Sequence, residues 1–470
     1  MARKGGAATR PEPTSPAARP WSERLTPLDA MFLDLEDASV NMHVGGLMVL
    51  EGEPPPLDAL RLHLWARLDR VPRYRQVLAT VPLHLGRPAW VDAPAIDLAH
   101  HVRAHTLPAE GEAALAARAG AFLAEPLDRA RPLWGLELVS GLGGGRFALL
   151  SRTHHCVLDG VAGVGFLQAI TDPSPEAAAS APAPWQPRPA PGAAARLASG
   201  LAWTVQRPIQ LCRQALTPGT DGRRIAQDLW AGVRPLLALA VGWPAPRTAL
   251  DGRVGPGRSW AGAALPLPRC QAVRAARGGT LNDVLLAVVA GALRAVLGQG
   301  GPPPAELRAF VPVSVRRPEA RAAPGNQVAL VFCRLPVGEP DPAARLCAIA
   351  AETRRLKETR SVAGILAFED LGELAPAPLA AQAARAAVAM HHFNLVVSNV
   401  PGPREVRWLL GRRLLACHPA IPLARGQRLA VGAMSYGGAL AVGVQGGSEQ
   451  GALVQALAAA LLPALQELEA

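Results

Sequence analysis

Between Asp172 and Gly192 the chain reads Asp-Pro-Ser-Pro and then repeats Ala-Pro and Arg-Pro steps. No helix interior or central strand accepts such a run, because each proline lacks an amide donor and fixes its own φ. The segment is an extended connector, and it divides the 470 residues into two halves, each long enough to bury a core of its own. Four parts follow. Residues 1–20, rich in Pro, Ala, Gly and Arg without periodicity, read as a flexible basic tail. Residues 21–172 form a first domain, 173–260 the connector with crossover helices, and 261–470 a second domain. Hydrophobic residues make up 50% and charged residues 18%, which excludes wholesale disorder.

The formal net charge is +11, and among 48 Lys+Arg only Lys4 and Lys357 are lysines. A basic chain attracts nucleic acid, anionic lipid or a phosphorylated substrate. Arginine in place of lysine throughout an Ala-, Gly- and Pro-rich chain is rather the mark of a GC-rich coding sequence than of such a partner. Nucleic acid is not expected, since aromatics are only 4% and no basic helix or aromatic-basic sheet pattern occurs. Six cysteines (Cys156, Cys212, Cys270, Cys333, Cys347, Cys417) lack any Cys-x-x-Cys pair, and the opening Met-Ala-Arg-Lys-Gly-Gly has no apolar signal run, so a cytoplasmic protein is expected. The longest uncharged apolar stretch, Gly451 to Gln466, contains Gln455 and Pro463 and falls short of the ~20 residues that span a bilayer. No transmembrane helix is expected.

Leu136–Val139 and Phe147–Leu150 flank the glycine-rich turn 141–145 and predict a hairpin. Leu429–Tyr436 and Ala439–Gln445 predict another, turning at Gly437-Gly438. Thr280-Leu281-Asn282-Asp283 opens a helix to Leu297, with Thr280 as N-cap. Asp341-Pro342 opens one to about Arg360. Ala193–Leu216, interrupted at Pro208, and Asp228–Val241 are amphipathic. They read as crossover helices packed on the body, or as a basic face bearing Trp203 that lies on lipid. The class is α/β with mixed sheets.

His-His pairs occur at 100–101, 154–155 and 391–392, so context must separate them. His154-His155 ends the strand Phe147–Thr153 and precedes Cys156-Val157-Leu158-Asp159-Gly160, after which a short helix begins. An imidazole on a loop between rigid elements is placed for chemistry near neutrality. Gly160 permits the tight turn into the helix. The plain alternative is a half-buried strand end. A metal site would need a third ligand that the sequence does not indicate. No Gly-x-Ser-x-Gly elbow, Walker loop or dinucleotide turn is present.

His-His-Cys-Val-Leu-Asp-Gly resembles the His-His-x-x-x-Asp-Gly active-site motif of the bacterial wax ester synthase/diacylglycerol acyltransferase family, within the chloramphenicol acetyltransferase-like superfamily. Condensation domains of non-ribosomal peptide synthesis carry the same motif, so the remaining blocks decide. Thr26-Pro27-Leu28-Asp29 with Phe32-Leu33, Met42-His43-Val44-Gly45-Gly46, and Pro126-Leu127-Asp128-Arg129-Ala130-Arg131-Pro132-Leu133-Trp134 are similar to the family's early signatures. Asn282–Val288, Val311–Arg316, Gly325-Asn326 and Asn394–Pro403 are similar to its later ones, in the right order. Cys156, where alanine is usual, and Gly447, where aspartate is common, depart from the pattern.

The resemblance implies two chloramphenicol acetyltransferase-like domains with an active-site tunnel at their interface, acyl-CoA entering from one side and the alcohol from the other. Acyl-CoA is then a co-substrate, and no cofactor or metal is expected. His155 would be the general base and His154 would position the loop. Asp159 would turn toward an arginine, for which Arg316 is the candidate; a solvated strand end beside Arg317 is the alternative. Oxyanion donors would come from Asn282, beside Asp283, and from a loop at Ser398-Asn399, unless these are simply a helix start and a turn. The acceptor would be diacylglycerol or a long-chain alcohol. The protein would sit peripherally on the inner face of the membrane or on lipid inclusions, with a homodimer possible. A condensation-like enzyme with an amine acceptor, or a non-catalytic coat protein of lipid inclusions, are the competing readings.

Overall fold

The computed structural model describes residues 23–158, 160–177, 184–215, 244–314, 328–358, 378–379, 381–382, 385–386 and 390–470. The tail expected at 1–20 and the amphipathic stretch at 228–241 lie outside them, as do Asp159 and Arg316. In the first half β1 (Glu23–Arg24) and α1 (Pro27–Leu35) lead into β2 (His43–Glu51), α2 (Leu57–Trp65), β3 (Gln76–Ala79), β4 (Ala89–Asp92), α3 (Leu98–His101), β5 (Val102–Thr106), α4 (Glu112–Ala124), β6 (Trp134–Gly143), β7 (Arg146–His154) and α5 (Gly160–Ile170). After α6 (Ala193–Ala215) come β8 (Arg258–Pro266), α7 (Leu267–Arg277), α8 (Leu281–Leu297), β9 (Leu307–Ser314), β10 (Val328–Leu335), α9 (Pro342–Glu358), β11 (Leu395–Val400), β12 (Trp408–Leu409), β13 (Arg412–Ala420), β14 (Leu429–Tyr436), β15 (Ala439–Gly447) and α10 (Gly451–Glu469).

Two six-stranded sheets carry the molecule, in the orders β12-β13-β2-β7-β6-β5 and β10-β9-β11-β14-β15-β8, with β1-β4-β3 as a small third sheet. Both large sheets are mixed: β5–β6, β11–β9 and β11–β14 are parallel and the other pairs antiparallel. The first sheet is not made by the first half alone. β13 lies along β2 from Leu414 opposite Leu50 to Ala420 opposite Gly45, so a strand from beyond residue 400 completes it. That strand also presses on the second sheet: a Cβ at Gly443 would stand 1.9 Å from the Pro419 carbonyl oxygen, and only glycine admits so close an approach.

Strand alternation explains how one sheet serves two cores. On β2, Val44, Met48 and Leu50 enter one apolar cluster, whereas Leu47 and Val49 enter another with Phe122 of α4 and Trp260 of β8. In the second half α8 is buried without a break from Asp283 to Leu293 and apolar from Val284 onward through that run, as a core helix must be. It starts at a capping box, with the Asp283 backbone N–H donating to Thr280 Oγ1 and the Asp283 carboxylate accepting from the Thr280 backbone N–H. The predicted hairpins form, and Gly437-Gly438 turn with φ of 57° and 82°.

The apolar stretch near the C-terminus differs from its sequence reading. The helix continues through Pro463, and both Leu281–Gly300 and Ser448–Glu469 are long and apolar enough to cross a membrane by length and composition alone. Residues of α8 and α10 share one core with the second sheet. The connector packs on the body. Trp185 meets Trp65 edge-on at 6.1 Å, and Arg188 pairs with Asp92 at 3.0 Å. The helix α6 runs on past Pro208. Trp203 does not lie on a bare face, because the guanidinium groups of Arg24 and Arg87 cover its ring at 5.5 and 5.8 Å.

Candidate active site

The register of β2 on β7 places His43 opposite His154. Both are buried, and their rings meet edge to face with centroids 6.2 Å apart. His154 has no solvent exposure. Its Nδ1 accepts the Cys156 backbone N–H at 3.1 Å, so the neutral ring carries its proton on Nε2, which faces Glu36 Oε1 at 3.6 Å. His43 Nε2 faces the same oxygen at 3.6 Å. Glu36 follows the last residue of α1 as its C-cap. It also receives Arg129 at 2.7 Å on Oε2 and the Met42 backbone N–H at 3.3 Å on Oε1.

Burial opposes ionisation of Glu36, but His154, Arg129 and His43 outweigh it and hold the carboxyl down at about 2. Burial, reinforced by His154, pushes His43 down to about 3. The Cys156 thiol, buried in the apolar cluster under β7, is pushed well above its ordinary range by that burial. Its Sγ lies 3.0 Å from His154 Nδ1, and the raised pKa disfavours a thiolate there.

His155 is placed differently from its neighbour. Its backbone N–H donates to the Met42 carbonyl at 2.7 Å, its ring is half-buried, and that ring lies on Phe32 at 4.0 Å and 13°. Of the two consecutive imidazoles, His154 is enclosed by protein and His155 retains access to solvent.

The segment between α1 and β2 joins this arrangement to the second half. Arg258 of β8 donates to the Ser39 carbonyl at 2.8 Å and to Asn41 Oδ1 at 3.1 Å, while Asn41 Nδ2 reaches the Leu123 carbonyl at 2.7 Å. Arg425 pairs with Asp37. The far end of α5 is fastened as well. Arg407 donates to Thr171 Oγ1 at 3.0 Å and the Gln168 carbonyl at 2.9 Å, and Asp172 forms a backbone bridge with Trp408. Residues from both halves thus hold the segment that leads to Met42 and the far end of the helix that leaves the histidine loop.

The other sequence candidates are spread more widely. Gly160 opens α5 directly after the loop. Asp283 is spent on the α8 cap and on Thr353, whose Oγ1 donates to it at 2.8 Å; its partners all belong to the second half. Asn282 shares that first turn. Ser398 and Asn399 are not in a loop: they pair with Gly432 and Ala433 in the centre of the second sheet, and the apolar run Leu395–Val400 explains why a strand forms. Phe32, Glu36, His43 and Arg129 were not singled out by the sequence. Phe32, His43 and Arg129 lie within the quoted blocks, so the available signal was that three separated blocks converge on one loop. Among the described residues no group of three or more His, Cys, Asp and Glu is arranged to hold a metal ion.

Comparison with known proteins places this geometry in a family. Residues 25–285 match the wax ester synthase/diacylglycerol acyltransferase catalytic domain, and residues 324–469 match the C-terminal domain of the same family. A putative diacylglycerol O-acyltransferase of Mycobacterium tuberculosis is 34% identical over 453 residues, covering 92% of this chain and 87% of the relative. A probable diacylglycerol O-acyltransferase of the same species is 31% identical over 437 residues, covering 89% and 90%. The solved wax ester synthase/diacylglycerol acyltransferase from Marinobacter aquaeolei superposes with a TM-score of 0.67 at 27% identity over 95% of this chain and 99% of that one. The first condensation domain of the calcium-dependent antibiotic synthetase shares the fold, with a TM-score of 0.58 at 18% identity over 95% and 97%. The chain is an acyltransferase and belongs to the wax ester synthase/diacylglycerol acyltransferase family.

Proposed function

We propose that the protein transfers a fatty acyl group from acyl-CoA to the hydroxyl of diacylglycerol or a long-chain alcohol, with His155 as general base. The observation that supports this reading is the division of labour between neighbouring imidazoles. His154 is wholly enclosed, whereas His155 keeps access to solvent and is fixed by a backbone hydrogen bond and a ring stack.

The chemistry follows from the groups involved. A hydroxyl is a weak nucleophile near neutrality, while a thioester is already activated. His155 takes the hydroxyl proton as the oxygen attacks the thioester carbon. The tetrahedral oxyanion collapses with cleavage of the carbon–sulfur bond, and the proton returns to the CoA sulfur. No acyl-enzyme forms, and a positioned base contributes about 10²–10⁴ in rate. The acyl chain and the acceptor approach from opposite sides of a tunnel between the halves, and the enzyme works at the periphery of a membrane or lipid inclusion.

The test is purified protein with palmitoyl-CoA and, separately, diacylglycerol and hexadecanol, following free CoA and neutral lipid. His155→Ala should abolish most ester formation with folding intact, and His154→Ala should retain more of it. Equal losses in two folded variants would remove the assigned division of roles.

A further inference from the structure

The helix α1 touches both histidines of the loop. Phe32 stacks on His155 at 4.0 Å, and four residues later Glu36 faces His154 at 3.6 Å. Residues four apart lie one above the other on a helix face, so a single helix end meets two consecutive residues of the loop. From Glu36 the chain runs to Met42, whose carbonyl takes the His155 backbone N–H, and to His43, which faces the same carboxylate oxygen.

We propose that Glu36 is a positioning residue of the transfer reaction: its carboxylate, set between His43 and His154, holds the histidine loop in its working geometry and supplies the negative charge that the neighbouring base feels. The proposal rests on the reading of His155 as base. His154 is enclosed, and its Nδ1 is already committed to the Cys156 backbone N–H; Glu36 Oε1 stands 3.6 Å from the remaining nitrogen and acts on it by charge from the other side. A rotated imidazole would lose the Nδ1 hydrogen bond and turn its other nitrogen from the carboxylate, and His155 is the next residue along the chain.

The surrounding charges define the electrostatic part. Facing the carboxylate are His43 on β2, His154 at the end of β7 and Arg129 ahead of β6. Arg152 on β7 faces His43. Asp29 on α1 faces Cys156, and the adjacent Asp37 is taken by Arg425. An ionised carboxylate favours the protonated form of an imidazole nearby. Removing it should lower the pKa of the base and carry the acidic limb of the rate profile to lower pH; removing Arg129 should do the reverse.

The experiment measures kcat, KM for palmitoyl-CoA, the pH dependence of kcat/KM and a thermal melt for the full chain, Glu36→Gln, Glu36→Asp, Arg129→Gln and His155→Ala. Glu36→Gln should lower kcat by roughly 10- to 100-fold with little change in KM, and move the acidic limb down by about half a pH unit. Glu36→Asp should keep the limb in place and recover part of kcat, and Arg129→Gln should move the limb up. The proposal is overturned if Glu36→Gln keeps wild-type kcat and limb. It is also overturned if Gln and Asp variants lose activity only in proportion to their folded fraction with the limb unmoved. Should Glu36→Gln fail to fold, the direction of the Arg129→Gln shift decides alone. Substantial activity in His155→Ala would instead sink the base assignment, and no acyl transfer by the unaltered protein would sink the proposed reaction.

Discussion

The ring of Phe32 lies flat on the ring of His155, centroids 4.0 Å apart and planes 13° from parallel. The stack covers one face of the imidazole and limits how the ring can turn, while Nδ1 is buried. Contacts of this kind are worth about 0.5–1.5 kcal/mol beyond the area they bury. Phe32→Ala should leave the fold cooperative and lower kcat by roughly tenfold, while Phe32→Trp, which restores a flat face, should recover much of it. Steady-state kinetics on the two variants checks this, and equal activity in both would show that the stack does not orient the base.

A pH dependence of stability follows from His43. Burial holds its folded-state pKa at about 3, below its ordinary value of 6.5, so the unfolded chain takes up a proton on this residue before the folded one does. Its contribution is constant above pH 6.5 and falls as pH drops from 6.5 toward 3, at about 1.4 kcal/mol per pH unit when the difference is complete. Glu36, depressed from 4.5 to about 2, adds a second loss that begins only as pH falls below 4.5. His43→Gln should therefore flatten the decline between pH 6 and 5 and lessen, without abolishing, the loss below 4.5, where Glu36 also contributes. Urea melts across that range, compared with the unaltered protein, would show parallel slopes if His43 is not the group responsible.

How much of this was legible in the sequence depended on the range of the contacts. The hairpin at Gly437-Gly438 and the capped start of α8 are local: a tight turn with positive φ favours glycine and a cap requires Thr280 and Asp283 in sequence proximity. The histidine loop was legible because it ends a strand. What could not be read was convergence. Glu36 gains its meaning only when β2 pairs with β7 in the register that sets His43 opposite His154, and a one-residue slip would turn both away. The partition of the chain was likewise misleading for the first sheet, since β13 joins it from far along the sequence. Ser398 and Asn399 read as a loop because of the Pro-Gly-Pro that follows, whereas the strand runs up to Val400.

The helix that leaves the histidine loop is gripped at its far end by a buried chain of polar groups. His63 Nε2 donates to the Ile170 carbonyl at 2.8 Å, Arg67 Nη1 donates to His63 Nδ1 at 2.9 Å, and Arg67 Nη2 donates to Asp172 at 2.9 Å. Arg67 is only 2% exposed, so removing Asp172's charge strands a buried cation. Arg67→Met and Asp172→Asn should each cost ~3–5 kcal/mol, and the double variant much less than their sum. Strictly additive losses in denaturant melts would mean the pair is not coupled. Because α5 begins at Gly160, the single variants should also lower kcat more than the double one.

The proposed peripheral attachment to lipid has a candidate place on the surface. Leu83 is 78% exposed, Leu201 47% and Leu85 38%. The segments that carry them meet, since Gly200 on α6, beside Leu201, abuts the Leu85 carbonyl so closely that an added Cβ would stand 3.2 Å from it. Leu83 and His84 both hold positive φ, 58° and 53°, an arrangement that costs backbone energy and turns the leucine outward. With a net charge of +11, attraction to anionic lipid would bring the protein to the surface and these side chains would enter it. Transfer of a leucine out of water is worth about 1.5–3 kcal/mol when complete. Leu83→Asp combined with Leu201→Asp should therefore weaken binding to phosphatidylglycerol-containing vesicles by at least roughly tenfold while leaving the thermal melt unchanged. Raising salt should weaken what remains, because exposed charges are screened over ~10 Å at 0.1 M. Sedimentation with vesicles reads both effects, and binding that neither the substitutions nor salt reduces would place the lipid contact elsewhere on the molecule.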